Sequence, residues 1–146
     1  MVNSPAELVR AALIVKGIGL MPDAGVLTQV WPIFVSHMPS KPDNVICVYD
    51  TPGLTQGRIH RTGETIKKPG WQIRVRGLDH PTGYAKISAI QAAVDSVRNL
   101  NIAIAGVGYI VQALNQKGGV MSLGQESDAD KRNGFTLNGI ITLKEI

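Results

Sequence analysis

The residues of this chain that could do chemistry are few and scattered. Asp50-Thr51-Pro52-Gly53 follows a hydrophobic run, the pattern of a turn that senses magnesium and a γ-phosphate in GTP hydrolases. Such an enzyme also needs a GxxxxGK[ST] loop to cradle phosphates and an N-K-x-D segment to read the base, and the chain has neither. A strand closed by a Pro-Gly turn accounts for the same four residues. Gly106-x-Gly108 could open a dinucleotide fingerprint, but Val111 stands where the third glycine is needed, and a packed strand is the simpler reading. His37, His60 and His80 lie far apart, and none falls at a metal-ligand spacing with Cys47. Asp128 and Asp130 look like a fragment of a calcium loop without its glycine and bidentate glutamate. No serine sits in a nucleophile elbow. Catalysis, cofactor and metal thus find no positive support, and the chain is expected not to be an enzyme.

Charge says more. Arg58, Arg61, Lys67, Lys68, Arg74 and Arg76 crowd into a stretch whose single acid is Glu64. Three uses stay open for it: contact with nucleic-acid phosphate, a solvated face of an exposed hairpin, or an arm that meets an acidic patch on a neighbouring subunit. The stacking aromatics of a single-strand binder and the basic helix of a duplex reader are both missing. A second polar and charged loop, Gly124–Gly134, carries Glu126, Asp128, Asp130 and Arg132. The candidate contact residues are therefore Arg58, Arg61, Lys67, Lys68, Arg74, Arg76, Glu126, Asp128, Asp130 and Arg132.

The elements that must position these groups follow from periodicity. In Trp71–Arg76, Trp71, Ile73 and Val75 alternate with Gln72, Arg74 and Arg76, giving a strand with one oily and one cationic face. Gly77 and Asp79-His80-Pro81 break it. Tyr84, Ile87, Ile90, Val94 and Val97 then recur at helical steps, with Asp79 or Thr82 as the cap. Ser4-Pro5-Ala6-Glu7 is a capping box that starts a first helix, and Gly17 and Gly19 end it. Trp31–Met38 reads as a strand, and Asn44–Asp50, apolar on both faces, as a central one.

Thr51–Lys68 is longer than a hairpin loop and suggests a projecting arm or a functional loop. Ile102–Leu114 has strand character, Asn115–Gly119 reads as a hairpin turn, and Val120–Leu123 should pair back. In the closing strand, Phe135, Leu137, Ile141 and Leu143 face one side, and Thr136, Asn138, Thr142 and Lys144 the other. The expected architecture is α+β: one domain over residues 1–146, a mostly antiparallel sheet packed by two helices, with long polar loops.

Bulk properties agree. A chain of 146 residues can bury a core without staples, and 44% hydrophobic with 18% charged residues describes a globular protein. Sparse aromatics predict a core of Val, Ile, Leu and Ala. The lone Cys47 excludes an internal disulfide. The N-terminus lacks the pattern of a signal peptide, and the longest apolar run, near Ile102–Val111, falls well short of the roughly 20 residues of a membrane span, so a soluble protein is expected. A net charge of +4 permits an acidic partner without requiring one.

The ordered pattern resembles the tail terminator and minor structural proteins of long-tailed bacteriophages. The resemblance is carried by the capped N-terminal helix, by Met38-Pro39, and by Pro42-Asp43-Asn44-Val45-Ile46-Cys47-Val48-Tyr49-Asp50-Thr51-Pro52-Gly53. It continues through Pro69-Gly70-Trp71-Gln72-Ile73-Arg74-Val75-Arg76-Gly77, Tyr84, Lys86, Gly119-Val120-Met121-Ser122-Leu123-Gly124, Asp128, Arg132 and Phe135-Thr136-Leu137-Asn138. It implies a virion protein that assembles as a six-fold ring on the end of the tail tube, stops tube polymerisation and offers a surface to the head. The implied partners are further copies of the chain, the tail tube protein, a head-completion or neck protein, and genomic DNA in the lumen through weak phosphate contacts at most. The implied location is the virion tail or neck, reached from the host cytoplasm. Head-completion, neck and minor capsid proteins look similar at this level, and a nucleic-acid-contacting protein using residues 58–76 is the other alternative. Thr51–Lys68 and Gly124–Gly134 are expected to be mobile in the monomer and to order at subunit contacts.

Overall fold

The structure is a computed structural model, which describes residues 3–23, 28–58, 65–126 and 131–145, with the side chains of 54–58, 65–67 and 145 left aside. Helix α1 (Pro5–Val15) starts as its sequence requires: Ser4 Oγ accepts from Glu7 N–H, and the Glu7 carboxylate accepts from Ser4 N–H at 2.9 Å. Strands β1 (Ile33–Val35), β2 (Val45–Arg58) and β3 (Thr65–Gly77) follow. Helix α2 (His80–Ser96) is capped by Asp79, whose carboxylate accepts from Thr82 N–H at 2.9 Å. Strands β4 (Leu100–Ile104), β5 (Val107–Gln125) and β6 (Asn133–Glu145) complete one six-stranded sheet in the order β1-β2-β3-β6-β5-β4. Only β1 and β2 run parallel. The fold is a single-domain α+β one, as the alternation and helical stripes predict.

Both helices pack on one face. Ile87, Ile90 and Val94 of α2 and Leu8, Val9 and Leu13 of α1 meet Trp71, Ile73, Val75, Leu137 and Ile141 in one continuous core. Each such fully buried aliphatic side chain contributes roughly 1.5–3 kcal/mol by its removal from water. Helix α1 touches β1 and β2 at one edge and β4 at the other, so the sheet curls round it. Two polar pins fix it there. Asp50 Oδ1 on β2 accepts from Ala6 N–H at 2.9 Å, and the buried Tyr109 hydroxyl on β5 accepts from Asn3 N–H at 3.2 Å and donates to Asn3 Oδ1 at 3.0 Å.

The structure corrects the sequence reading in three places. Trp31–Met38 forms only the short β1, because Trp31 and Ser36 hold positive φ on either side of it. Of the two readings of Thr51–Lys68, the arm fits and the loop does not: Thr51–Arg58 prolongs β2 and Thr65–Lys68 begins β3, with residues 59–64 outside the described set. Asn115–Gly119 is no hairpin turn. Gly118 (φ 80°) and Gly119 (φ 71°) form a bulge in the continuous β5, and Val120 pairs onward with Leu137 of β6. Thr136 lies on the face opposite Phe135 and Leu137, as the period of the closing strand requires. It is 1% exposed on the sheet face away from the helices, flanked in register by Arg74 and Met121.

Candidate assembly surface

Of the charged residues that the sequence singles out, Arg74 and Arg76 stand on the helix-free face of the sheet and Lys68 on its β2–β3 extension. The alternation in β3 turns Gln72, Arg74 and Arg76 away from the core, as their sequence period requires. Arg74 is exposed, with its guanidinium 5.6 Å from the centre of the Tyr49 ring on β2. Burial pushes the Tyr49 phenol up to about 12, with the neighbouring Cys47 thiol adding to the rise. Gln72 donates to Asn138 on β6 at 2.9 Å.

Arg76 behaves differently from its neighbour two residues earlier. It is 4% exposed and points into the loop between β1 and β2. Its Nη2 donates to the carbonyls of Pro39 (2.6 Å) and Pro42 (2.7 Å), and its Nε to that of Asp43 (3.2 Å). Glu126, just beyond β5, stands 3.9 Å from Arg76 Nη1 and 2.7 Å from Arg132 Nη2. Arg132 also donates to Ser40 O at 2.6 Å and lies 3.4 Å from the Asp43 carboxylate. These groups form one ionic clamp that fastens residues 39–43 to the β5–β6 end. A hydrogen bond from Lys41 and the charge of Arg132 hold the Asp43 carboxyl below its ordinary range.

The structure therefore brings Arg76, Glu126 and Arg132 together and directs them inward to the chain's own loop. Arg74 lies on the open face apart from them. Lys68 pairs in register with Leu54 on the arm, and the backbones of Arg58 and Lys67 pair with Thr65 and Thr55. Arg61, Asp128 and Asp130 lie outside the described residues. Asp43 is the member of the clamp that sequence reasoning passed over. Its signal was its place in a Pro-rich loop, Pro39 to Pro42, whose carbonyls have no strand partner of their own and call for a donor.

The arm itself is a second feature of the surface. β1 pairs with β2 only as far as Val48, and β6 pairs with β3 only as far as Gly70, so beyond Thr51 and Gly70 the two strands pair with each other alone. Register shifts between Thr51 and Leu54 and between Thr55 and Arg58 twist this ribbon. At the root of the ribbon, a Cβ on Gly53 would overlap the Lys68 carbonyl oxygen, so the close approach of the two strands needs glycine there.

Nothing in this surface assembles a catalytic constellation. Among the described residues, no group of three or more His, Cys, Asp or Glu is placed to hold a metal, and no helix is long and apolar enough to cross a membrane. Asp50 of the Asp-Thr-Pro-Gly run directs its carboxylate to the α1 N-terminus. Cys47 is buried, donates to His37 O at 3.2 Å, and has its thiol pushed up by desolvation.

Comparison with known proteins places the chain. No curated protein matches it. One solved chain aligns with 94% of this chain and 91% of its own length at 16% identity and a TM-score of 0.44, a likeness that carries no argument. The sequence model of the bacteriophage tail terminator proteins, in contrast, matches residues 13–143, which take in α2, β1 to β5 and β6 as far as Leu143. The chain thus belongs to the bacteriophage tail terminator protein family and is a structural component of the virion tail.

Proposed function

We propose that this protein closes as a hexameric ring on the end of the tail tube, ends tube polymerisation there, and presents the joining surface for a head-completion or neck protein. The observation that carries the reading is the family match over residues 13–143, and the whole chain then acts as one terminator domain. The architecture supports it. A small curled sheet with a two-stranded ribbon beyond its margin is suited to completion by neighbours, because strand edges present unpaired N–H and C=O groups. A head-to-tail contact of that kind generates a closed ring when the rotation per subunit fits.

In this reading the exposed Arg74 and the arm cations Arg58, Arg61, Lys67 and Lys68 belong to surfaces between subunits or toward tube and head. Glu126 and Arg132 are engaged in the clamp of the same subunit, and their segment adds Asp128 and Asp130 to these contact surfaces. Genomic DNA passing through the lumen meets weak phosphate contacts at most, since Arg76 is engaged by the loop carbonyls. The working protein then needs no cofactor.

The test is to mix the purified protein with purified tail tubes. Capped ends and arrested growth are expected, together with six-fold rings in negative-stain images. Amide exchange in Thr51–Lys68 and Gly124–Gly134 should be fast in subunits and slow in rings. Tubes that keep growing with uncapped ends would move the protein to the head side of the neck.

A further inference from the structure

The two edges of the sheet are not equivalent. At the β1 edge, Leu20 bridges to Pro32: Leu20 N–H donates to Trp31 O at 3.1 Å, and Ile33 N–H donates to Leu20 O at 2.9 Å. That bridge covers the β1 edge at Ile33. The β4 edge has no such cover among the described residues. Ala105 (φ 51°) and Gly106 (φ 84°) join β4 to β5 in a two-residue turn of the type that requires positive φ at both positions. Ile104 and Val107 are then a hydrogen-bonded pair. Alternation turns the backbone groups of Leu100 and Ile102 toward β5 as well, and those of Asn101 and Ala103 outward. Both outward residues are exposed.

A groove of about 440 Å³ runs between this edge and α1. Its apolar lining comes from Ala11, Ile14, Val15, Met21, Ile102 and Ile104, with Val15 61% and Met21 58% exposed. An open edge beside an apolar groove is the seat for an added strand: main-chain bonds hold it, and one apolar side chain anchors it.

The chain also contains a segment that lacks such a seat. The ribbon beyond Thr51 and Gly70 is two-stranded, and a two-stranded hairpin alone is marginal in water. Of its two free edges, Gly53–Arg58 of β2 is longer than Thr65–Lys68 of β3. Leu54 is the one aliphatic residue in that β2 run. Pairing β4 with a second β4 would be isologous and would stop at a dimer, whereas arm onto β4 joins two different surfaces and propagates.

We propose that the β2 strand of one copy's arm adds to the β4 edge of the next copy, bonding Asn101 and Ala103 and lying along the α1–β4 groove. This joint rests on the ring reading above and names the contact that would close it.

The experiment places Ala103→Cys together with Leu54→Cys, Thr55→Cys or Gln56→Cys in the full chain, assembles rings, and oxidises them. Cys47 is buried and keeps the background silent. At least one pair should give a ladder of covalent oligomers on a denaturing gel. In parallel, Ala103→Pro removes an outward N–H that an edge strand can do without. It should raise the concentration needed for ring formation about tenfold, the effect of one main-chain bond, with an unchanged circular dichroism spectrum. Wild-type rings with no ladder from any pair would overturn the joint and leave the ring reading standing; if Ala103→Pro fails to fold, the ladder alone decides. Wild-type protein that neither forms rings nor caps tubes would overturn the ring reading and the joint with it.

Discussion

The Arg132 guanidinium meets the Glu126 carboxylate at 2.7 Å across the adjoining ends of β5 and β6. This pair is the outer half of a clamp whose inner half is Arg76, held by three carbonyls of the loop between β1 and β2. The halves should differ in energetic weight. Arg76→Ala leaves three part-buried carbonyls without their donor and should cost about 3 kcal/mol. Glu126→Gln removes one charge of a part-exposed pair and should cost about 1 kcal/mol or less. Urea unfolding of both variants, with the slope unchanged, gives the comparison. Equal midpoints for Arg76→Ala and the wild type would show that the clamp does not stabilise the fold.

Acid should loosen the same clamp. Asp43 is held below its ordinary range first by the hydrogen bond from Lys41 and further by Arg132, so its folded pKa lies under its unfolded one. Its contribution is present above the unfolded value near 3.8 and is lost as pH falls through the folded value. Asp79, held low by the Thr82 hydroxyl and N–H at the head of α2, has the same sign. Stability measured from pH 6 down to pH 2 should fall more steeply for the wild type than for Asp43→Asn. Parallel curves would remove Asp43 from the acid response.

The bulge in β5 tests why one part of the sheet was misread. Adjacent glycines at left-handed angles serve a hairpin turn or a bulge equally well, and local sequence does not separate the two. What decides is long-range: β6 offers Leu137 to Val120 at the very point where a turn would have reversed the chain. The helices, the core alternation in β3 and the closing strand were legible because their periods are local. The clamp was not, since it joins Asp43, Arg76 and Glu126 from three separate segments. For the bulge, Gly118→Ala and Gly119→Ala should each cost about 1 kcal/mol, because an L side chain resists that backbone region and neither site has neighbours to clash with. Thermal unfolding of both variants would check it; unchanged midpoints would mean that the bulge relaxes freely.

Asp50 offers the sharpest contrast between a motif read as chemistry and the same residue read as structure. As a magnesium-sensing carboxylate it would be dispensable to the fold. In the structure its Oδ1 takes the Ala6 N–H, one of the free donors at the start of α1, and sets a negative charge at the positive end of that helix. Asp50→Ala should therefore destabilise by about 1–2 kcal/mol, the range for losing a helix cap. Asp50→Asn keeps an acceptor and loses only the charge, so its cost should be about 0.5 kcal/mol. The order matters more than either magnitude. A pair of variants with wild-type stability would mean that Ser4 and Glu7 satisfy the α1 terminus by themselves, leaving the Asp50 carboxylate without a structural task.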